Sequence, residues 1–99
     1  MAERDPAAST PSVDVTVRYF AAARAAAGVT EEIVSVPAGG PDLMTRVGVV
    51  VATAGERHPE LSRVLPRCSF LLDEVAVHGP GTVVLDGQVL DVLPPFAGG

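Results

Sequence analysis

Val89-Leu90-Asp91-Val92-Leu93-Pro94-Pro95-Phe96-Ala97-Gly98-Gly99 decides how this chain is read. The first five residues form a short, mostly apolar run of strand length, which reads as a buried strand. Pro94 and Pro95 then stop ladder pairing and hold an extended direction. Gly98 and Gly99 carry no Cβ, so the last stretch is a thin stem that can take almost any φ/ψ. A buried strand running straight into such a stem is expected to present a carboxylate at Gly99 to a narrow tunnel in another protein. The plainer reading is a loose end, since termini commonly fray.

The 99 residues are enough for one domain. Residues 1–12, with Pro6, Pro11 and several Ala, Ser and Thr, show no apolar periodicity and are expected to be a disordered extension. They lack the apolar stretch of a secretory signal, and no later run is suited to span a bilayer, so a cytoplasmic location is expected. Seventeen valines against four aromatic residues point to a small β-rich core of branched aliphatic side chains. Twelve acidic and seven basic residues leave a net charge of −5, which argues against nucleic acid and anionic membrane as partners and for a basic protein surface. All seven basic residues are Arg, so a Schiff-base lysine and a self-linked isopeptide chain are both excluded. Cys68 stands alone, which excludes an internal disulfide.

Upstream of the tail, Val13, Val15, Val17 and Tyr19 alternate with Asp14, Thr16, Arg18 and Phe20, the period-two pattern of a strand with one face on a core. Ala21 to Ala27 is a run of strong helix formers, with Gly28 placed for a left-handed cap. Thr30 to Val36 reads as a second strand, antiparallel to the first because the connection is short. From Asp42, the positions Leu43, Val47, Val50, Val51 and Ala54 fall on one helical face, with Pro41 and Asp42 suited to the first turn. This helix is expected to end near Arg57 or His58, before Pro59. Gly48 is unusual inside it. Glu60 to Leu65 reads as a short helical turn, Cys68 to Leu72 as a strand, Asp73-Glu74 as a tight turn and Val75 to Val77 as the strand that pairs back. Val83 to Leu85 leads into the turn Asp86-Gly87, which precedes the last strand. One amphipathic helix crossing one mixed sheet is a two-layer α+β domain.

Val17-Arg18-Tyr19-Phe20-Ala21 followed by Arg24 and Gly28, Asp86-Gly87 before the final strand, and the ending Leu93-Pro94-Pro95-Phe96-Ala97-Gly98-Gly99 together carry a resemblance. Over Val13 to Gly99 the chain resembles the ubiquitin-like sulfur carriers, the family of the small subunit of molybdopterin synthase. Gln88 departs from it, since an acidic residue often stands there. The resemblance implies a β-grasp domain over residues 13–93 and a flexible tail over 94–99. It implies that an ATP-dependent activating enzyme adenylates Gly99, that sulfur replaces AMP to give a thiocarboxylate, and that the tail then enters a larger synthase subunit. There it gives sulfur to a pterin precursor of the molybdenum cofactor. Gly98 and Gly99 are then the reactive stem, and Phe20, Arg24, Leu93, Pro94, Pro95, Phe96 and Ala97 the partner contacts. No bound cofactor is implied; ATP is used by the activating enzyme, and the chain alone is not a catalyst.

Other residues carry blander readings. Phe20 and Leu93 could be ordinary core side chains, and Arg24 a solvated charge. Cys68 lies in an apolar run with no neighbouring base and reads as a structural thiol. His58 and His78 lack a third ligand at metal spacing. Asp73, Glu74 and Asp86 read as turn formers. Alternatives to the molybdopterin pathway are a carrier of the same fold for thiamine or cysteine synthesis, a ubiquitin-like modifier joined through Gly99, and a plain interaction module.

Overall fold

A computed structural model describes residues 11–39 and 42–95. In chain order these form β1 (Ser12–Tyr19), α1 (Ala21–Ala27), β2 (Glu31–Pro37), β3 (Met44–Arg46) and α2 (Val47–Arg57). Two 3₁₀ turns, Leu61–Arg63 and Leu65–Arg67, precede β4 (Ser69–Leu72), β5 (Val75–Ala76), β6 (Val83–Leu85) and β7 (Val89–Leu93). The main sheet has the order β2-β1-β7-β4-β5, and β3 and β6 form a separate two-stranded ribbon. The sheet is mixed: β1 runs antiparallel to β2 and parallel to β7, and β7 runs antiparallel to β4.

The period-two reading of β1 holds side chain by side chain. Val13, Val15, Val17 and Tyr19 are all buried under α2, whose Val47, Val50 and Ala54 complete the core with Val34 and Val36 of β2 and Leu90 and Val92 of β7. α1 ends as its composition requires, with Gly28 at φ 79 and its N–H donating to the Arg24 carbonyl. Asp73 and Glu74 both have positive φ, 47° and 69°, the signature of the tight primed turn that joins β4 to β5.

The start of the main helix differs from the sequence reading. Asp42 and Leu43 lie before it, Met44–Arg46 is a strand, and the helix begins at Val47. Pro41 lies outside the described residues. The reason is non-local: Met44, Thr45 and Arg46 pair with Leu85, Val84 and Val83, so their backbone groups serve a ladder. Leu43 is exposed and contributes no core face. The free N–H groups at the helix start are met from the preceding loop to β6, Val47 by the Thr82 carbonyl and Gly48 by the Pro80 carbonyl, each at 2.9 Å. Here Gly48 finds its reason, because a Cβ would lie 3.1 Å from Pro80 Cβ. The expected single turn over Glu60 to Leu65 is instead a pair of 3₁₀ turns that reaches Arg67.

A polar lock ties the far end of α2 to the sheet. Glu32 Oε2 accepts from the Tyr19 hydroxyl at 2.6 Å and lies 2.7 Å from His58 Nε2, while Oε1 accepts from Arg57 at 3.3 Å. Burial alone pushes the Glu32 carboxyl up, but the three hydrogen bonds outweigh it and hold the group below its ordinary value. Arg57 also donates to the Ile33 carbonyl at 3.0 Å, covering part of the open edge of β2.

Candidate functional site

The tail leaves from the middle of the sheet. β7 lies between β1 and β4, so its backbone is paired on both sides, and Leu90, Asp91 and Val92 are all buried. Pairing continues to the strand's end, where Ser69 faces Leu93 and the Phe20 N–H donates to the Val92 carbonyl at 3.2 Å. Pro94 is buried and Pro95 exposed. The rigid part of the chain therefore reaches to within one residue of the point where the tail emerges. Phe96, Ala97, Gly98 and Gly99, which carry the expected chemistry, lie outside the described residues.

Strand parity places the expected docking residues. Odd-numbered residues of β1 point into the core, so Arg18 and Phe20 belong to the opposite face; on β7, Leu90 and Val92 point in and Asp91 and Leu93 out. Phe20 and Leu93 are each half-buried on this outer face, neither core residues nor fully exposed. The chain turns sharply after Phe20, since Ala21 takes φ 50. Arg24 is exposed on α1.

One same-face step back along the β1–β7 ladder from Phe20 and Leu93, the structure adds two residues that were not named as contacts from sequence. Arg18 Nε donates to Asp91 Oδ1 at 2.6 Å and Nη2 to Oδ2 at 2.8 Å, a bidentate pair, and the guanidinium lies 6.0 Å from the Phe20 ring centroid. Asp91 is 5% exposed. Its hydrogen bonds and charge push the Arg18 guanidinium above its ordinary value, keeping it cationic. The available signal was Asp91 itself, a charge inside an otherwise apolar central strand, which requires a partner.

The acidic turn residues do more than shape turns. Asp73 Oδ1 accepts from the Val89 N–H at 2.9 Å and Oδ2 from Gln88 Nε2 at 3.0 Å; these bonds hold its carboxyl below the ordinary value. Asp86 Oδ1 accepts from the Asp14 N–H at 2.8 Å, and Gln88 Oε1 from the Leu85 N–H at 2.7 Å. Both turns thus fasten the entry of β7, and the amide at Gln88 is used as donor and acceptor at once.

Cys68 is half-buried, its thiol donates to the Val64 carbonyl at 3.4 Å, and burial pushes its pKa up. A thiol so placed is a poor nucleophile. His58 is engaged by Glu32, with its ring edge-on to Tyr19 at 6.1 Å. Among the described residues no group of three or more His, Cys, Asp or Glu side chains is placed to hold a metal ion, and no helix is long and apolar enough to cross a membrane.

Comparison with known proteins agrees with this geometry. The model of the ThiS family matches residues 17–99. A molybdopterin synthase sulfur carrier subunit from Chlamydomonas reinhardtii is 31% identical over 90 residues, which span 88% of this chain and the whole of that protein. A putative molybdopterin converting factor subunit 1 from Pyrococcus furiosus superposes with a TM-score of 0.72 at 27% identity, over 84% of this chain and 98% of its own. The small archaeal modifier protein 1 of Haloferax volcanii gives 0.67 at 26% identity, over 87% and 99%. The fold shared with these neighbours is the ubiquitin-like β-grasp. With its β-grasp body and a family match that covers the central strand and the diglycine tail together, this chain belongs to the ThiS family.

Proposed function

We propose that the chain is the sulfur carrier for molybdopterin synthesis. The observation that carries this reading is the paired central strand β7, which leads through buried Pro94 to exposed Pro95 in a fixed direction ahead of the glycine stem. The Chlamydomonas and Pyrococcus relatives support the choice of pathway.

Each step follows from the chemistry of a terminal carboxylate. A carboxylate is a weak electrophile, so its oxygen first attacks the α-phosphorus of ATP on an activating enzyme; pyrophosphate leaves and an acyl adenylate remains. Hydrosulfide from the sulfur donor attacks the Gly99 carbonyl, AMP departs and a proton is lost to solvent, leaving the thiocarboxylate. Inside a larger synthase subunit the sulfur bonds to a carbon of a pterin precursor and displaces an oxygen group from it; water then attacks the Gly99 acyl carbon, the acyl C–S bond breaks and the carboxylate is restored. Gly98 and Gly99 serve as the stem because only a chain without Cβ atoms fits a narrow tunnel. Phe20, Leu93, Pro94, Pro95, Phe96 and Ala97, with Arg24 at the side, form the surface read in turn by both enzymes. Apolar contacts suit such exchange, since they make a surface sticky without fixing one partner.

The likeness to an archaeal modifier protein supports a second reading, attachment of Gly99 to lysines of other proteins. One experiment separates them. The chain is incubated with ATP, a cognate activating enzyme and a sulfur donor, and its intact mass is taken before and after the large subunit and pterin precursor are added. Exchange of oxygen for sulfur, reversed as product forms, supports the carrier. An unchanged mass with a competent activating enzyme rejects it, and covalent addition to other proteins selects the modifier.

A further inference from the structure

Ala22 of α1, Arg63 and Arg67 of the two 3₁₀ turns, Val64 between those turns, and Pro94-Pro95 line a cleft of about 320 Å³ at the root of the tail. Its charge opposes that of the whole molecule, which carries −5. Arg18 and Arg57 are bound to Asp91 and Glu32, and Arg46 donates to the Gly81 carbonyl. Arg63 is held far more loosely. Its Glu60 partner stands 3.7 Å away, and the two side chains are 80% and 71% exposed, a geometry that contributes little and yields to a better acceptor. Arg67 is exposed four residues on, and no carboxylate among the described residues pairs with it. Two planar guanidinium forks therefore flank the point where the tail departs, in a setting matched to carboxylates.

We propose that this cleft docks against acidic side chains on the rim of the tunnel that receives the tail. The occupant is a protein surface bearing carboxylates, and the inference rests on the sulfur-carrier reading. An acidic rim is repelled by the net negative charge of this chain and attracted where Arg63 and Arg67 stand, at the root of the tail. Encounters are thereby steered into the orientation in which the stem can enter.

The test is the association rate of the full chain with the purified large subunit at about 20 mM and about 500 mM salt. R63E/R67E is expected to associate roughly 10-fold more slowly at low salt and to converge with the wild type at high salt, with R63Q/R67Q intermediate. R46E, on the β3–β6 ribbon, is expected to keep the wild-type rate. Equal melting midpoints establish that the variants are folded, and R63Q/R67Q decides alone should the double reversal misfold. Wild-type behaviour of the arginine variants at low salt, equal slowing at both salts, or equal slowing by R46E overturns the inference and leaves the carrier reading intact. A wild-type chain that neither binds the subunit nor accepts sulfur overturns that reading and the inference with it.

Discussion

Arg18 and Asp91 are partners twice over: they are opposed in the parallel β1–β7 register, and their side chains meet in a bidentate ion pair at 2.6 and 2.8 Å. The pair sits on the outer face, one same-face step before Phe20 and Leu93, and holds the strand that carries the tail. Its two members are unequally exposed, 39% for the Arg18 side chain and 6% for that of Asp91. Arg18→Leu strands a buried carboxylate, whereas Asp91→Leu frees a guanidinium that water can reach. Arg18→Leu is therefore expected to lower the melting midpoint by roughly 10 °C, with a smaller loss for Asp91→Leu and recovery of most of it in the double variant. Equal losses in the two single variants would contradict this account.

Glu32 sets a pH dependence. Its folded pKa lies below the unfolded value, so its stabilisation is complete above the ordinary carboxylate range and is lost as pH falls through the folded pKa. Glu32→Gln is expected to cost about 1–2 kcal/mol at neutral pH, because the amide offers one acceptor oxygen where two are used. Urea melts should show the gap between variant and wild type closing as pH falls below the ordinary carboxylate range; a constant gap would sink the proposed linkage.

Gln88→Glu tests the fastening of β7. The new carboxylate would face Asp73, which now accepts from the Gln88 amide at 3.0 Å. A midpoint lower by roughly 2–4 °C at neutral pH is expected, with partial recovery as the pH enters the carboxylate range. The family tendency toward an acidic residue here makes this a sharp comparison, since a neutral outcome would mean the Gln88 bridge contributes nothing.

Gly48→Ala should fail to gain the helix propensity of alanine, about 1 kcal/mol in an open helix. The added Cβ would lie 3.1 Å from Pro80 Cβ and 3.3 Å from the Pro80 carbonyl oxygen. A midpoint unchanged or lowered is expected by calorimetry, and a rise of several degrees would show that the 79–81 loop gives way freely.

Leu93→Arg addresses docking. The residue is half-buried beside the tail on the outer face, so the variant should fold with a midpoint near that of the wild type. Its affinity for the large subunit is expected to fall by about 2 kcal/mol or more, roughly 30-fold, in a titration. Intact affinity would remove Leu93 from the interface.

Local signals were sufficient where the deciding physics is local. The alternation of β1, the alanine run closed by Gly28 and the turn at Asp73-Glu74 were each legible, because side-chain period and φ preference act within a few residues. The β-grasp was legible through the family resemblance that the first strand and the chain's ending carry. What tertiary structure alone decided involves partners far apart in sequence. Met44–Arg46 is a strand only because Val83–Leu85 pairs with it, and the helix start moved to Val47 as a result. Arg18 meets Asp91 across 73 positions, and Arg63 and Arg67 reach the tail root only when the 3₁₀ turns fold against α1 and β7. Amino-acid order settles which short segments favour helix, strand or turn. Which edges and charges meet depends on the packing of the whole core, since each long-range contact must offset the entropy of closing the loop between its partners.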